Sequence, residues 1–354
     1  MRPSSSASKA ELSVPRTEGV DVAALLGWLA ERTDVRAPLR LHPIEGGRSN
    51  LTYEIRDRSG RGWVLRRPPL NSVLPSAHDV GREFRVLRSL AATSLPVPTV
   101  TGYSDDLLDA PFYVMDFVPG VVLRSADEVA RHLPLPRREP LARALIEILA
   151  RIHAVDPAEV GLADLGRSQG YGQRQLRRWQ EQALQFRAVA RPLADEVHAE
   201  LVRRLPDTGR VALVHGDYRA DNAIVDAGTG RVRAIVDWEL CTLGDPLIDL
   251  AVALSYWTLP DDPVRPLGDA PTLAPGFPDR DRVLALYETA SATDLPEFTP
   301  YLAFAHWRLA MVLEGVHGRF VRGAYGAGAN TAYFGRLPHS IDVLARTAAT
   351  LLED

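Results

Sequence analysis

Three side chains that suit metal-assisted phosphoryl transfer stand within one short stretch of this sequence. Asp217 and Asn222 are separated by four residues, and Asp237 follows fifteen residues after Asn222. Taken singly, each residue is more typical of a turn or a helix cap. At this spacing, however, one carboxylate can accept the proton of an attacking hydroxyl while carboxylate and amide oxygens hold Mg²⁺. The pattern therefore predicts Asp217 as the catalytic base and Asn222 and Asp237 as magnesium ligands.

Apolar residues on both sides place this polar stretch in a loop between two short strands. Residues 211–214 lead into the loop and residues 223–225 lead out of it. A turn rich in Gly and Asp at 226–230 then returns the chain into a third strand at 232–236. That strand is predicted to deliver Asp237 beside the loop.

The loop carries a recognisable motif, His-Gly-Asp-Tyr-Arg-Ala-Asp-Asn at 215–222, of the form H-x-D-x-x-x-x-N found in protein kinases. HGDYRADN, followed by VDWE and GDPLIDLA, resembles the aminoglycoside phosphotransferase family, which consists of small-molecule kinases with a kinase fold. The flanking segments are similar to the kinase-like domain that precedes some acyl-CoA dehydrogenases; they read VLRRPP, SAHDVGREFRVLRSL, PVPTVTGYSDD and FYVMDFVPG. The resemblance extends over roughly residues 38–340.

This resemblance implies an α+β, bilobal, protein-kinase-like fold. We expect a mobile tail at 1–19, an N-lobe at 20–118 with an antiparallel sheet plus helix, and a largely helical C-lobe at 119–354. Asp21 is predicted to cap the first helix. Amphipathic patterns predict later helices at 171–188, 191–205, 247–257, 281–291, 298–320 and 332–352.

Composition limits the function classes without choosing one. The 354 residues are 46% hydrophobic, which is enough for a substantial core. A net charge of −4 and the lack of a basic stripe argue against nucleic acid as a partner. No apolar run reaches the length of a membrane span and no signal peptide is visible, so we expect a cytoplasmic monomer or homodimer. Cys241, the single cysteine, is predicted to be buried.

The nucleotide, ATP or GTP, is expected to use residues of the N-lobe. Gly46, Gly47 and Ser49 lie in a short loop where backbone N–H groups can approach phosphates, although a plain hairpin turn explains Gly-Gly equally simply. The resemblance requires a cation on the third strand, where kinases have Lys. Arg66 is predicted for this role because it shares a strand face with the position that covers adenine, whereas Arg67 points to the other face.

Further nucleotide contacts are implied by the resemblance alone. Glu83 is expected to pair with Arg66, although it could instead be a solvated helix residue. Asp116 and Val118 occupy the position of the kinase hinge, where main-chain groups bind adenine.

Several polar residues are expected to support the loop. His215 is interpreted as orienting it, and the resemblance implies that Asp245 and Asp249 brace it by hydrogen bonds. His153 is predicted to have a core or capping role. Arg219 can either reach phosphate or pair with an acid, and the sequence does not choose between the two.

The balance of charged residues in the C-lobe indicates the charge expected of the acceptor molecule. Residues 161–210 contain nine Arg and six Asp or Glu, and residues 298–340 contain four Arg and three His but only Glu314 as an acid. Such a lobe suits a polycationic aminoglycoside poorly. Arg308 and Arg319 fall on nearly the same face of one helix and, with His306, are predicted to receive an anionic acceptor such as a hydroxyacyl compound. Pairing of these arginines with acids of the same lobe is the structural alternative.

These patterns favour a small-molecule kinase that phosphorylates an alcohol group. Two other functions remain open: an aminoglycoside kinase that confers antibiotic resistance, and a non-catalytic nucleotide-binding protein with a kinase fold.

Overall fold

A computed structural model describes most of the chain. The described residues are 20–44, 50–69, 79–167, 169–187, 189–207, 209–265, 268–324 and 330–353. The predicted tail at 1–19 and the predicted phosphate loop with Gly46, Gly47 and Ser49 lie outside them.

The chain divides into two compact units. The first consists of the chain up to Phe84 together with Val100–Phe117, and the second of Arg85–Thr99 together with the chain from Val118 onward. Residues 85–99 thus group with the second unit, although the sequence analysis placed them in the N-lobe.

The first unit contains a five-stranded antiparallel sheet. Its described elements are α1 (Val22–Ala30), β1 (Arg40–Pro43), β2 (Leu51–Arg56), β3 (Gly62–Arg67), the start of α2 (Val80–Leu90), β4 (Val100–Ser104) and β5 (Phe112–Asp116). The strand order is β1-β2-β3-β5-β4. As predicted, Asp21 caps α1, because its carboxylate accepts the backbone N–H groups of Ala23 and Ala24 at 2.9 and 3.0 Å. One sheet face packs on α1 through Leu25, Leu29, Ile55, Trp63, Leu65, Phe112 and Val114.

The second unit is largely helical. Its described elements are β6 (Val121–Val122), α3 (Ala126–His132), α4 (Arg138–His153), α5 (Tyr171–Phe186), α6 (Pro192–Arg204), β7 (Ala212–Val214), β8 (Ala223–Val225), β9 (Val232–Ile235), β10 (Thr242–Gly244), α7 (Pro246–Ser255), α8 (Arg280–Ser291), α9 (Thr299–Val321) and α10 (Thr331–Glu353). The predicted helices match α5 to α10 within two residues at each end, so the α+β fold class is confirmed. Among the helices described, none combines the length and apolarity needed to cross a membrane.

Two small sheets hold the predicted loop. β7 pairs antiparallel with β10, with Val214 opposite Thr242. β8 lies between β6 and β9, with Ala223 opposite Ile235. The polar stretch at 215–222 therefore begins directly after β7 and ends at β8, and the chain reaches Asp237 just beyond β9.

A buried ion cluster ties together α6, α9 and α10. Arg191, immediately before α6, bonds through Nε to Glu314 at 3.0 Å and through Nη1 to Asp342 at 2.7 Å. Glu314 is fully buried, whereas the Asp342 side chain is 47% exposed. The single acid of residues 298–340 is thus paired with an arginine of the same unit, which weakens the argument from charge counts.

We predict that Glu314→Ala destabilises the second unit by about 3 kcal/mol, because it leaves the buried Arg191 guanidinium without its main counter-charge. Asp342→Ala, the matched control, should cost ~1 kcal/mol or less, since solvent screens that pair. Urea unfolding followed by tryptophan fluorescence measures both. Equal losses in the two variants would show that burial of the pair does not matter.

Candidate functional site

The buried Asp249 carboxylate holds the beginning of the loop. Asp249 lies on α7 and accepts the backbone N–H groups of His215 and Gly216, both at 2.8 Å. It also lies 3.1 Å from Nε2 of His153, whose Nδ1 is 2.7 Å from the Tyr287 hydroxyl. Burial alone would raise the pKa of Asp249, but the hydrogen bond and charge of His153 and the bonds from the loop outweigh it, and the pKa is lowered.

The two acids expected to brace the loop both lie at the beginning of α7 or just before it. Asp249 bonds to the loop directly, and Asp245 caps α7, where its carboxylate accepts the backbone N–H of Leu247 at 2.9 Å. His153 was predicted to have a core or capping role; its side chain is largely buried at the end of α4 and takes part in the bracing network through Asp249.

Hydrogen bonds connect the three predicted catalytic and metal positions. The Asn222 side-chain amide donates to the backbone carbonyl of Asp217 at 2.9 Å. The backbone carbonyl of Asn222 accepts the backbone N–H of Val236, also at 2.9 Å. His215, fully buried, lies with Nε2 3.1 Å from the carbonyl of the same Val236. One hydrogen-bond network therefore holds Asp217, Asn222 and Val236, the residue before Asp237.

Asp237 itself adopts an unusual backbone conformation. Its φ of 70° and ψ of 56° are left-handed, which is uncommon for a residue other than glycine but tolerated by Asp. The chain then makes a short helical turn at Trp238, whose buried ring lies 4.7 Å from that of His215. Cys241 follows and is fully buried, as predicted.

The donor set fits a magnesium ion that also binds phosphate. Because the Asn222 amide nitrogen is engaged with Asp217, its oxygen is oriented as the group available to a metal. Within the described residues there is no group of three or more His, Cys, Asp or Glu side chains that could hold a metal. Mg²⁺ commonly takes one or two protein ligands and completes its shell with water and substrate phosphates, so Asn222 and Asp237 suffice.

Arg219 pairs with acids, which is one of the two roles left open by the sequence. Its Nε lies 3.4 Å from Asp217 and 3.2 Å from Asp221, and its guanidinium stands 5.2 Å from the ring centre of Tyr256. Burial raises the pKa of Asp221, with the Arg219 charge opposing the shift. Burial and the Asp217 charge likewise raise the pKa of Tyr256 to about 12, so its hydroxyl keeps its proton near neutral pH.

Arg308 reaches the loop at 215–222 from α9. Its Nη2 donates to the carbonyl of Gly216 at 3.0 Å, and its guanidinium lies 4.8 Å from the ring centre of Trp179 on α5. In the part of the chain that the structure describes, Arg308 forms no ion pair with a carboxylate. Its positive charge, adjacent to Asp217, is thus not neutralised by a side chain in direct contact.

The other two predicted acceptor residues lie elsewhere. Arg319 is eleven residues further along α9, about 16 Å by the helical rise, and its guanidinium lies 5.4 Å from the Phe186 ring. The charges that act on His306 are those of Arg280 and Asp262. The contacts of His306 and Arg319 thus differ from those of Arg308, and the binding of one anionic acceptor by all three residues stays a prediction.

In the first unit, the predicted ion pair between Arg66 and Glu83 is present at 3.0 Å, with both side chains largely buried. Arg67 lies on the opposite face of β3, is buried, and donates through Nη2 to the carbonyl of Leu108 at 3.4 Å. The alternation argument that separated the two arginines is confirmed. Asp116 ends β5 opposite Trp63, and Val118 begins the second unit; their contact with nucleotide stays a prediction.

Sequence reasoning missed Tyr256 and Trp179. Tyr256 directly follows α7 and Trp179 lies within α5, so neither belongs to a motif. An aromatic residue in an amphipathic helix is usually part of the core, and no local signal distinguishes these two.

Comparison with known proteins agrees with this geometry. The family model described as the phosphotransferase enzyme family matches residues 40–279. The chain belongs to this phosphotransferase family. The phosphotransferase is 34% identical to acyl-CoA dehydrogenase family member 10 of Mus musculus over 323 residues, which cover 90% of the chain and 30% of that relative. It is 32% identical to acyl-CoA dehydrogenase family member 11 of Rattus norvegicus, with 86% and 40% covered.

A solved structure of a putative aminoglycoside phosphotransferase from Ralstonia eutropha superposes on the phosphotransferase with a TM-score of 0.77 and 29% identity. The match covers 93% of this chain and 98% of that one. The resemblance stated from the sequence is confirmed. The phosphotransferase spans only about a third of the length of the two curated relatives, so their complete activities do not transfer to it directly.

The half-buried His306 predicts a pH dependence of stability. Burial, with the Arg280 charge, lowers its pKa to about 4, below the ordinary value of ~6.5. Neutral His306 therefore makes its full contribution to the free energy of unfolding above pH ~6.5. This contribution, roughly 3 kcal/mol in total, is lost as the pH falls towards about 4. His306→Gln should remove this part of the slope in urea unfolding measured from pH 7 to pH 4. A slope unchanged by the substitution would contradict the assignment.

Proposed function

We propose that this phosphotransferase moves the γ-phosphate of ATP or GTP to a hydroxyl group of a small molecule, with Mg²⁺ as cofactor. One observation carries the proposal: the Asn222 amide bonds to the backbone of Asp217, and the Asn222 backbone bonds to the residue before Asp237. A protein that only bound nucleotide would have no chemical need for a carboxylate at Asp217 held in this network.

Asp217 is the proposed catalytic base. Its carboxylate would orient the acceptor hydroxyl and take its proton as the oxygen attacks the γ-phosphorus and the nucleoside diphosphate departs. Because Asp249 and Arg308 fix Gly216, the residue before it, the base is positioned before substrate binds. Arg219 lies close enough to Asp217 to neutralise its charge in the absence of substrate.

Nucleotide phosphates would be bound by Arg66, which Glu83 holds in place. When bound by Asn222 and Asp237, Mg²⁺ would supply positive charge to the transferred phosphoryl group. Gly46, Gly47 and Ser49 in the phosphate loop, with Asp116 and Val118 at the hinge, complete the proposed nucleotide contacts.

The acceptor is proposed to carry negative charge and to bind near Arg308. Support comes from its position: Arg308 contacts the carbonyl next to Asp217 and has no carboxylate partner among the described residues, unlike Arg191. Tyr256, protonated and close to the charges of Asp217 and Arg308, adds a neutral hydroxyl. Since the curated relatives are named acyl-CoA dehydrogenase family members, a hydroxyacyl compound is the proposed chemical class.

An aminoglycoside acceptor is the alternative, favoured by the likeness to the putative aminoglycoside phosphotransferase. A polycation would need carboxylates near Asp217. Of the described acids near Asp217, Asp221 is already paired with Arg219, and Asp237 is proposed as a magnesium ligand.

We predict that Asp217→Asn abolishes phosphoryl transfer but changes nucleotide affinity by less than about threefold, whereas Asp237→Asn weakens Mg²⁺-nucleotide binding itself by tenfold or more. The reason is that a base acts on the acceptor, while a metal ligand acts on the nucleotide. Calorimetric titration and a coupled assay separate these effects.

Excess chelator is the control for the wild type, because it should stop transfer completely. Wild-type turnover in Asp217→Asn, or full turnover in chelator, would refute the proposed mechanism and leave a non-catalytic nucleotide-binding protein.

The acceptor is to be identified by a phosphate-transfer screen against hydroxyacyl thioesters, hydroxy acids, amino alcohols, sugars and aminoglycosides. For the acceptor found, Arg308→Gln should raise KM by roughly tenfold through loss of a charged contact. Arg319→Gln serves as the matched control on the same helix and should change KM by less than about twofold, because it lies ~16 Å away. Preference for an aminoglycoside, with no effect of Arg308→Gln, would refute the anionic acceptor.

A further inference from the structure

A cavity outside the network of Asp217 lies at the beginning of α5 in the second unit. Its volume is about 520 Å³, which falls in the range of small-molecule sites. Its lining consists of glycine, glutamine and arginine, namely Gly166, Arg167, Gln169, Gly170, Gln173, Arg174 and Arg177. Among the residues of this lining that the structure describes, there is no acidic and no apolar side chain, which favours a polar occupant.

The three arginines of the cavity keep their positive charge. Arg174 donates to the backbone carbonyl of Arg167, a contact that does not neutralise it. Over the described ranges, none of the three pairs with a carboxylate. Neighbouring arginines of the same unit behave differently, since Arg187 pairs with Asp195 and Arg280 with Asp262. Three like charges around one cavity repel each other unless an anion is bound between them.

Backbone geometry adds to this charge. Gly170 is left-handed, with φ 63° and ψ 32°, and allows the chain to turn directly into α5. No side chain caps this helix of 16 residues. The first backbone N–H groups of α5 therefore lie at the same end of the helix as the arginines of the cavity. The helix dipole favours negative charge at this end.

We infer that this cavity binds the diphosphate or bisphosphate group of a small molecule. Guanidinium groups bind phosphate oxygens through two parallel N–H donors, and two phosphates provide the charge that three arginines can neutralise. Gln169 adds a neutral amide that can donate to a further oxygen. This site is distinct from the proposed transfer site, which rests on Asp217, Asn222 and Asp237.

The cavity wall contacts a strand that is paired with the one leading into the loop at 215–222. A Cβ added to Gly166 would stand 2.4 Å from Oγ1 of Thr242, so the cavity wall packs tightly on β10. Thr242 is paired with Val214, the residue directly before His215. One wall residue of the cavity therefore packs on the strand pair from which the loop emerges.

The test uses inorganic pyrophosphate with the full-length protein at low salt and in chelator, so that no metal bridges the ligand to the transfer site. Calorimetry should show binding to the wild type, and Arg174→Gln/Arg177→Gln should weaken it by at least about tenfold. Arg177→Gln alone should weaken it by roughly threefold; since Arg177 is exposed, its substitution does not threaten folding. Arg336→Gln on α10, also exposed, is the control and should bind as the wild type does.

Hydrogen exchange locates the ligand, because pyrophosphate should protect the amides of residues 169–177. Undetectable binding at millimolar pyrophosphate, or the same affinity in the double variant and the wild type, overturns the inference. Once an acceptor is known, competition of pyrophosphate with it would assign the diphosphate to the acceptor itself, whereas an unchanged KM would assign it to a separate ligand.

Discussion

The site depends on one buried negative charge, the carboxylate of Asp249. It binds two successive backbone N–H groups at the start of the loop and faces the ring of His153 on α4. Each hydrogen bond to an ionised group contributes about 1.5–3 kcal/mol, which explains why the carboxylate stays charged although it is buried. Asp249 lies on α7, faces His153 on α4 and bonds to the loop that follows β7. One side chain therefore fixes the positions of two helices and a strand relative to residues 215–222.

The local structure around the candidate site was predictable because the residues that determine it are close together in the sequence. Asp217 and Asn222 belong to one loop, and the alternation of apolar and polar residues on either side defines the flanking strands. Asp237 follows a strand whose return is encoded by Gly and Asp in the turn. The choice of Arg66 over Arg67 was equally local, since neighbouring residues of a strand face opposite sides.

The side-chain contacts that could not be predicted from the sequence join segments that are distant along the chain. Asp245 and Asp249 share one motif, and only the packing of α7 shows that Asp249 contacts the loop and that Asp245 caps the helix. Arg308 joins Gly216 across 92 positions of the chain. Helical periodicity correctly placed Arg308 and Arg319 on one face, but it carries no information about the partner that each meets.

Cys241 gives the molecule a built-in reporter of local opening. It is the single cysteine of the chain, is fully buried, and lies between the turn after Asp237 and β10. A thiol reagent can therefore modify only one position, and only after the strand pair that carries the loop has opened. The rate of that modification measures the free energy of this opening in the unmodified sequence, and its change on adding nucleotide would report how firmly a ligand closes the catalytic segment.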